Sequence, residues 1–177
     1  MGDLPRTPYD VTCVSGGFDP LHIGHLRLMK EAAQHGHLVV IVNSDDWLMR
    51  KKGYIFMPFE ERCEILNGLK CVSETVGVDD RDGTVCEALR RIKPTYFANG
   101  GDRQSQNTPE INLCEEIGIE LLWRIGGGKM QSSSQLVESS PMLTSLEEIT
   151  IEGEEIDIKP SRVEIVYSHG IKRPASE

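Results

Sequence analysis

The chain is short of the features that would place it in a membrane, on nucleic acid or in an oxidising compartment. No apolar run approaches the ~20 residues of a bilayer-spanning helix. The opening residues, Met1-Gly2-Asp3-Leu4-Pro5-Arg6, lack a basic segment leading into an apolar stretch, and Arg6 stands where a myristoylation pattern needs Ser or Thr. The expectation is a cytoplasmic protein with no membrane partner. Positive charge is scarce: 19 Lys and Arg stand against 28 Asp and Glu, a net charge of -9, so no nucleic-acid partner is expected. A small anion remains an acceptable ligand, because a pocket needs only local positive charge. The five cysteines, Cys13, Cys63, Cys71, Cys86 and Cys114, contain no C-x-x-C pair, which predicts reduced thiols, mostly in the core, and no zinc site.

What is present is enough for one domain of ordinary size with a short appendage: 177 residues, 38% hydrophobic. Val11 to Ser15 reads as a buried strand ending at Gly16-Gly17, and Leu26 to His35 has apolar residues at helical spacing, with Gly36 at the helix end. His37 to Val42 is a nearly continuous apolar run, the pattern of a strand covered on both faces. A basic loop is expected around Arg50 to Gly53, then a helix from about Pro58 to Leu69 and a strand near Glu74 to Val78. Further helices at about Val85 to Ile92 and Thr108 to Ile117 alternate with strands at Tyr96 to Ala98 and Glu120 to Trp123. This alternation predicts an α/β fold: a Rossmann-like parallel sheet with helices on both faces and ligands at the carboxyl ends of the strands.

The texture changes after Val137, and the expected division is a domain over 9–137 and an accessory arm over 138–177. Residues 141–177 hold eight acidic against four basic residues. Alternating apolar residues such as Val163, Ile165 and Tyr167 would suit a β-hairpin; a solvated, partly ordered tail is the alternative.

The chemistry concentrates in Gly16-Gly17-Phe18-Asp19-Pro20-Leu21-His22-Ile23-Gly24-His25, between the first strand and the first helix. Glycines at a strand end let backbone approach a ligand closely, and the following helix terminus favours phosphate. His22 and His25, three residues apart, can face one bound group and donate to oxygens that gain charge during phosphoryl transfer. The alternative is that either ring caps the helix. A second glycine-rich segment, Arg124-Ile125-Gly126-Gly127-Gly128-Lys129-Met130-Gln131-Ser132-Ser133-Ser134, offers positive charge and three hydroxyls; alone, it would also read as a flexible linker.

The first string resembles the G-x-F-D-x-x-H-x-G-H motif of the cytidylyltransferase-like nucleotidylyltransferases, and the second is similar to their R-T-x-G-I-S-T-T segment, with Ile125 in place of Thr and a longer glycine run. Asn99-Gly100-Gly101-Asp102-Arg103 and Val42-Asn43-Ser44-Asp45 resemble the heptose-phosphate adenylyltransferases of that group. Val72-Ser73-Glu74 departs from the acidic V-D-x-V strand. The resemblance runs from about Val11 to Val137. His22-Ile23-Gly24-His25 with Lys129-Met130-Gln131-Ser132-Ser133 also resembles the paired motifs of class I aminoacyl-tRNA synthetases, for which the chain is too short and too acidic.

The resemblance implies an enzyme that transfers CMP or AMP from CTP or ATP to the phosphate of a small acceptor, a sugar or polyol phosphate first, and releases pyrophosphate. It implies catalytic roles for His22, His25, Lys51 and Lys52. Nucleotide binding falls to Gly16, Gly17, Phe18, Asp19, Gly24, Arg62, Asp102, Arg124, Lys129, Ser132, Ser133 and Ser134. For the lysines the alternative is a solvated basic turn, and for Arg62 a surface ion pair. Mg2+ is expected to arrive with the nucleotide, and a homodimer is implied. A nucleotide-sensing module without turnover is the competing function.

Overall fold

A computed structural model describes residues 10–101, 108–128 and 131–139. In chain order these form β1 (Val11–Gly16), α1 (Ile23–Ala32), β2 (His37–Val42), α2 (Asp45–Lys52), α3 (Phe59–Asn67), β3 (Glu74–Gly77), α4 (Cys86–Ile92), β4 (Tyr96–Gly100), α5 (Pro109–Ile117), β5 (Glu120–Ile125) and α6 (Ser133–Glu138). The five strands make one parallel sheet in the order β3-β2-β1-β4-β5. The chain winds outward in one direction from β1 to β3 and then crosses to β4, so the order reverses between β1 and β4, the place where open α/β sheets bind ligands.

Both sheet faces are covered, as the alternation of helix and strand requires. On one face Met29 and Ala32 of α1 and Leu66 of α3 pack on Val14, Val40, Val42 and Ala98. On the other, Cys86, Ala88 and Leu89 of α4 and Leu113 and Cys114 of α5 pack on Cys13, Val39, Ile41 and Phe97. The central strands alternate between these clusters residue by residue, which is why His37–Val42 has no polar position after its first. All five cysteines are free thiols; three are buried, and burial pushes Cys13 up to about 12 and Cys114 to about 11. The three buried thiols are packing groups at neutral pH.

Three boundaries differ from the sequence reading for local reasons. Helix α1 begins three residues earlier, at Ile23, because His22 is its N-cap. The basic loop expected near Arg50 is instead the last turn of α2, capped by Ser44 at its start and ended by Gly53 at φ 82°. Strand β5 runs to Ile125 and carries an irregularity: Ala98 pairs with Leu122 but Gly100 with Ile125, one extra residue in β5, where Arg124 takes φ 61°. The arm proposed for 138–177 lies, after Ser139, outside the described residues. No helix among the described residues is long and apolar enough to cross a membrane.

Candidate active site

The carboxyl ends of β1 and β4 open into a cavity of about 500 Å³, lined by the glycine loop, His22, His25, Lys52, the end of β4 and the residues flanking 129–130. The two imidazoles stack, with centroids 3.8 Å apart and planes 22° from parallel. Their inner nitrogens are spent on backbone. The Gly24 N–H donates to His22 Nδ1 at 3.1 Å, and the His22 N–H donates to His25 Nδ1 at 3.3 Å. A ring whose Nδ1 accepts carries its proton on Nε2, so both rings offer an Nε2–H donor away from the helix.

Capping and ligand binding, read from sequence as alternatives, are therefore compatible: one nitrogen caps and the other is left to bind. Gly24 is required for this. A Cβ there would lie 2.9 Å from His22 Cε1, inside contact distance.

Burial and the neighbouring cation disfavour the charged form of both rings. Burial pushes His25 down to about 3, with His22 and Lys52 adding to the shift, and burial followed by Lys52 lowers His22. Neutral imidazoles donate hydrogen bonds to phosphate oxygens without themselves demanding a countercharge. Positive charge comes from Lys52, whose Nζ donates to the Asp19 carbonyl at 2.6 Å and so points across the glycine loop. Burial lowers its ordinary value, partly offset by Asp19.

The remaining expected site residues divide between the cavity wall and its supports. Gly16, Gly17 and Gly24 line the cavity, as do Ser132 and Ser134. Phe18 also lines it, but is buried at φ 51° with its ring edge-on to His25, centroids 5.1 Å apart, so it mainly braces the histidine. Ser133 turns its hydroxyl to the Pro20 carbonyl at 2.9 Å, tying α6 to the loop. Asp19 is fully buried and accepts the N–H groups of Phe56 and Met57 at 2.8 and 2.7 Å. It pins the 53–58 connection, one N–H on each carboxylate oxygen.

Arg62 is a correction. Neither a cavity residue nor a surface ion pair, it is 1% exposed. Its guanidinium donates to the carbonyls of Met57, Gly17 and Asn43 at 3.0, 2.7 and 2.9 Å and to Asp45 at 2.6 Å. One buried cation thus joins the glycine loop, the end of β2, the start of α2 and the 53–58 connection. Arg124, at the extra residue of β5, is exposed next to Ile125 and Gly126 of the cavity wall. Asp102 and Lys129 lie outside the described residues.

Lys51 and Lys52, adjacent in sequence, part company. Lys52 lines the cavity just described, whereas Lys51 lies over the Trp47 ring, 5.6 Å from its centroid, at a second cavity of about 330 Å³.

Several supporting residues have no motif of their own. Asp80, buried, accepts from the Asn43 amide, the Ser44 N–H and the Ser44 hydroxyl at 3.1, 2.8 and 2.6 Å, fixing the start of α2. Glu31 accepts the Gly126 N–H at 2.8 Å. Trp47 stands in the walls of both cavities. Ser44-Asp45-Asp46, a capping residue followed by acids, is the signal that would have located α2 and with it Trp47.

Residues 13–121 match the model of the cytidylyltransferase-like family. The chain belongs to that family. It is 38% identical over 111 residues to the bifunctional protein HldE of Streptomyces coelicolor, an alignment covering 61% of this chain and 24% of that protein, so it spans about a quarter of that relative's length. It is also 38% identical over 112 residues to the FAD synthase of Thermococcus kodakarensis, covering 61% of this chain and 68% of that one. Among solved structures, the lipopolysaccharide core biosynthesis protein of Thermoplasma volcanium superposes with a TM-score of 0.54 at 28% identity, over 68% of this chain and 98% of that one.

Among the described residues no group of three or more His, Cys, Asp or Glu side chains is arranged to hold a metal ion. Asp19, the carboxylate of the glycine loop, is committed to backbone.

Proposed function

We propose that this protein is a nucleotidylyltransferase that moves CMP or AMP from CTP or ATP to the phosphate of a small acceptor, a sugar or polyol phosphate, with release of pyrophosphate. The observation that carries the reading is the stacked imidazole pair, each Nδ1 held by a backbone N–H, beside Lys52 at the reversal of strand order. A binding module would need the glycine loop alone; two oriented donors suit oxygens that become more negative as the reaction proceeds.

The acceptor phosphate is already an anion near neutral pH, so no protein nucleophile is needed. Its oxygen attacks the α-phosphorus, the bond to the β-phosphate oxygen breaks, and the electron pair leaves with pyrophosphate. The chain's task is positioning and charge stabilisation. Glycines 16 and 17 allow close approach of the triphosphate, the two imidazoles donate to its oxygens, and Lys52 balances its charge. Mg2+, when bound to the triphosphate, supplies further charge neutralisation, with its ligands drawn from phosphates and water. The resemblance of Asn99-Gly100-Gly101 to heptose-phosphate adenylyltransferases makes ATP the first nucleotide to try. A homodimer is part of the same proposal.

The test is pyrophosphate release with ATP and CTP separately, with Mg2+, against phosphorylated sugars, polyols and cofactor precursors. One productive pair, lost in His22→Ala and His25→Ala, is expected. Nucleotide binding without turnover of any pair would instead favour a sensing module.

A further inference from the structure

Helix α1 carries more than the histidines. His25, Leu28 and Glu31 follow one another at i, i+3 spacing, so each neighbours the next along one row of the helix surface, over about 9 Å of axis from first to last. His25 lines the first cavity, while Leu28 and Glu31 meet the glycines at the ends of β4 and β5. The Leu28 side chain fills the space over Gly100, where a Cβ would come 3.2 Å from its Cδ1. The Leu28 backbone lies against Gly126, where a Cβ would come 2.6 Å from Leu28 N and 2.7 Å from its Cα. Gly126 takes φ 84°, and its N–H donates to Glu31 Oε2 at 2.8 Å. Close backbone packing and a side-chain hydrogen bond are separate observations, and both fasten the same residue to α1.

Gly126, Gly127 and Gly128 all line the first cavity, and a Cβ on Gly127 or Gly128 would meet nothing within 4 Å. The fixed corner of the run is therefore Gly126. Glycine loses more conformational freedom on ordering than any other residue, and a ligand that had to order three in a row on arrival would bind more weakly for it. Glu31 itself stands outside the cavity wall, so its carboxylate acts on the loop from behind.

We infer that Glu31 is a positioning residue for the nucleotide: through the Gly126 N–H it holds the 126–128 backbone against α1 before the nucleotide enters, and so strengthens nucleotide binding. This deepens the transfer reading proposed above and rests on it for the identity of the ligand. The same helix then references both halves of the site, with the imidazoles at its start and the second glycine loop at its sixth residue beyond His25.

The tether needs an oxygen at the reach of a glutamate side chain. Glutamine keeps that reach without the charge, and aspartate keeps the charge but is one methylene short. Without the tether the imidazoles and Lys52 still meet the phosphates, so ground state and transition state weaken together, which raises KM and leaves kcat in place.

The experiment separates failure of this assignment from failure of the transfer reading by measuring binding apart from turnover. Equilibrium dialysis of the full chain against ATP and against CTP, each with Mg2+ and no acceptor, is compared for the parent, Glu31→Ala, Glu31→Gln and Glu31→Asp, with urea unfolding of each. Glu31→Ala and Glu31→Asp should raise the Kd of the nucleotide that binds about tenfold, and Glu31→Gln should return it to within about threefold of the parent. The Gln and Asp variants decide the matter between them should Glu31→Ala fail to fold. In turnover, Glu31→Ala should raise the nucleotide KM about tenfold, with kcat and the acceptor KM moved less than about twofold. Binding in this pattern without pyrophosphate from any acceptor would keep the tether and remove the transfer reading. Turnover in which Glu31→Ala leaves the nucleotide KM within about twofold would remove the tether and keep that reading. The assignment is equally overturned if the parent binds neither nucleotide, if Glu31→Gln binds as weakly as Glu31→Asp, or if the variants lose stability while their Kd stays at the parent value.

Discussion

The histidines and the lysines flank one reaction space, but they are held there by opposite means. His22 and His25 are fixed by two backbone bonds within four residues, both made by the turn that starts α1. Lys51 and Lys52 ride on the last turn of α2, a helix positioned by partners far away in sequence: Asp80 at its N-cap, Arg62 on Asp45, and the Asp19 carbonyl under Lys52. The first arrangement survives wherever the local string survives. The second is a tertiary construction that depends on several buried polar groups at once, and buried polar networks lose much of their value when a single member is missing.

That contrast predicts where substitutions will hurt stability and where they will hurt chemistry. The largest expected effect is on the lysine side. Arg62→Ala strands three carbonyls, that of Asn43 buried, and the half-buried Asp45 carboxylate, and should destabilise the fold by about 3 kcal/mol, the lower end of the cost of removing one partner from a buried charge network. Urea unfolding reads this directly, and Arg62→Lys should recover only part of it, since an ammonium cannot reach as many acceptors in one plane. A loss below about 1 kcal/mol would mean that the network is not what holds α2.

On the histidine side the expected losses are in turnover. His25→Ala should lower the rate of pyrophosphate release by about 10²–10³-fold, the usual effect of deleting one oriented donor. Urea unfolding of the variant should be little changed beyond the lost packing on Phe18.

Gly24→Ala sharpens the comparison further because its two effects have opposite signs. Alanine in the first turn favours the helix by up to ~1 kcal/mol, yet its Cβ would stand 2.9 Å from the His22 ring. The variant should unfold no more easily than the parent and turn over about tenfold more slowly, an effect of tilting His22 off its bond to the Gly24 N–H. If stability and rate fall together, the local account of the histidine pair is wrong.

The histidine side also carries a pH dependence. His25 is lowered from its ordinary range to about 3 by burial, so between that value and about 6.5 the unfolded chain binds the extra proton and the folded chain does not. Its contribution to stability is fully present above about 6.5 and is lost as pH falls through that window. Nitrogen-15 spectra of the histidines at pH 5 should show the His25 ring neutral with its proton on Nε2. An imidazolium signal at pH 6 would contradict the burial argument.

The same division explains what could be read from the sequence. The alternation of β-branched runs with helical stripes is a local pattern, and it located all five strands; His37–Val42 was bounded to the residue. The histidine pair was equally legible, because glycines, strand end and rings are contiguous.

What the string could not convey was tertiary. Arg62 reads as one more charged residue of a Glu60-Glu61-Arg62 helix until β1, β2 and the 53–58 connection close around it. Asp19 lies inside the motif, yet its carboxylate faces two N–H groups about forty residues on. The extra residue of β5, where Arg124 takes a positive φ, is an offset that no periodicity reveals. Trp47, Asn99 and Glu110 belong to separate elements, and only the reversal of strand order brings them to one cavity.

The most direct test of the central claim follows the α-phosphate itself. The protein is incubated with Mg2+, a phosphorylated acceptor that supports turnover, and nucleoside triphosphate labelled at the α- or the γ-phosphorus. The account predicts that α-label enters a product joined to the acceptor through a new phosphoric anhydride, that γ-label leaves as pyrophosphate, and that His22→Ala and His25→Ala each slow both by about a hundredfold or more while still binding nucleotide. Release of γ-label as inorganic phosphate, or turnover that persists without both imidazoles, would contradict it.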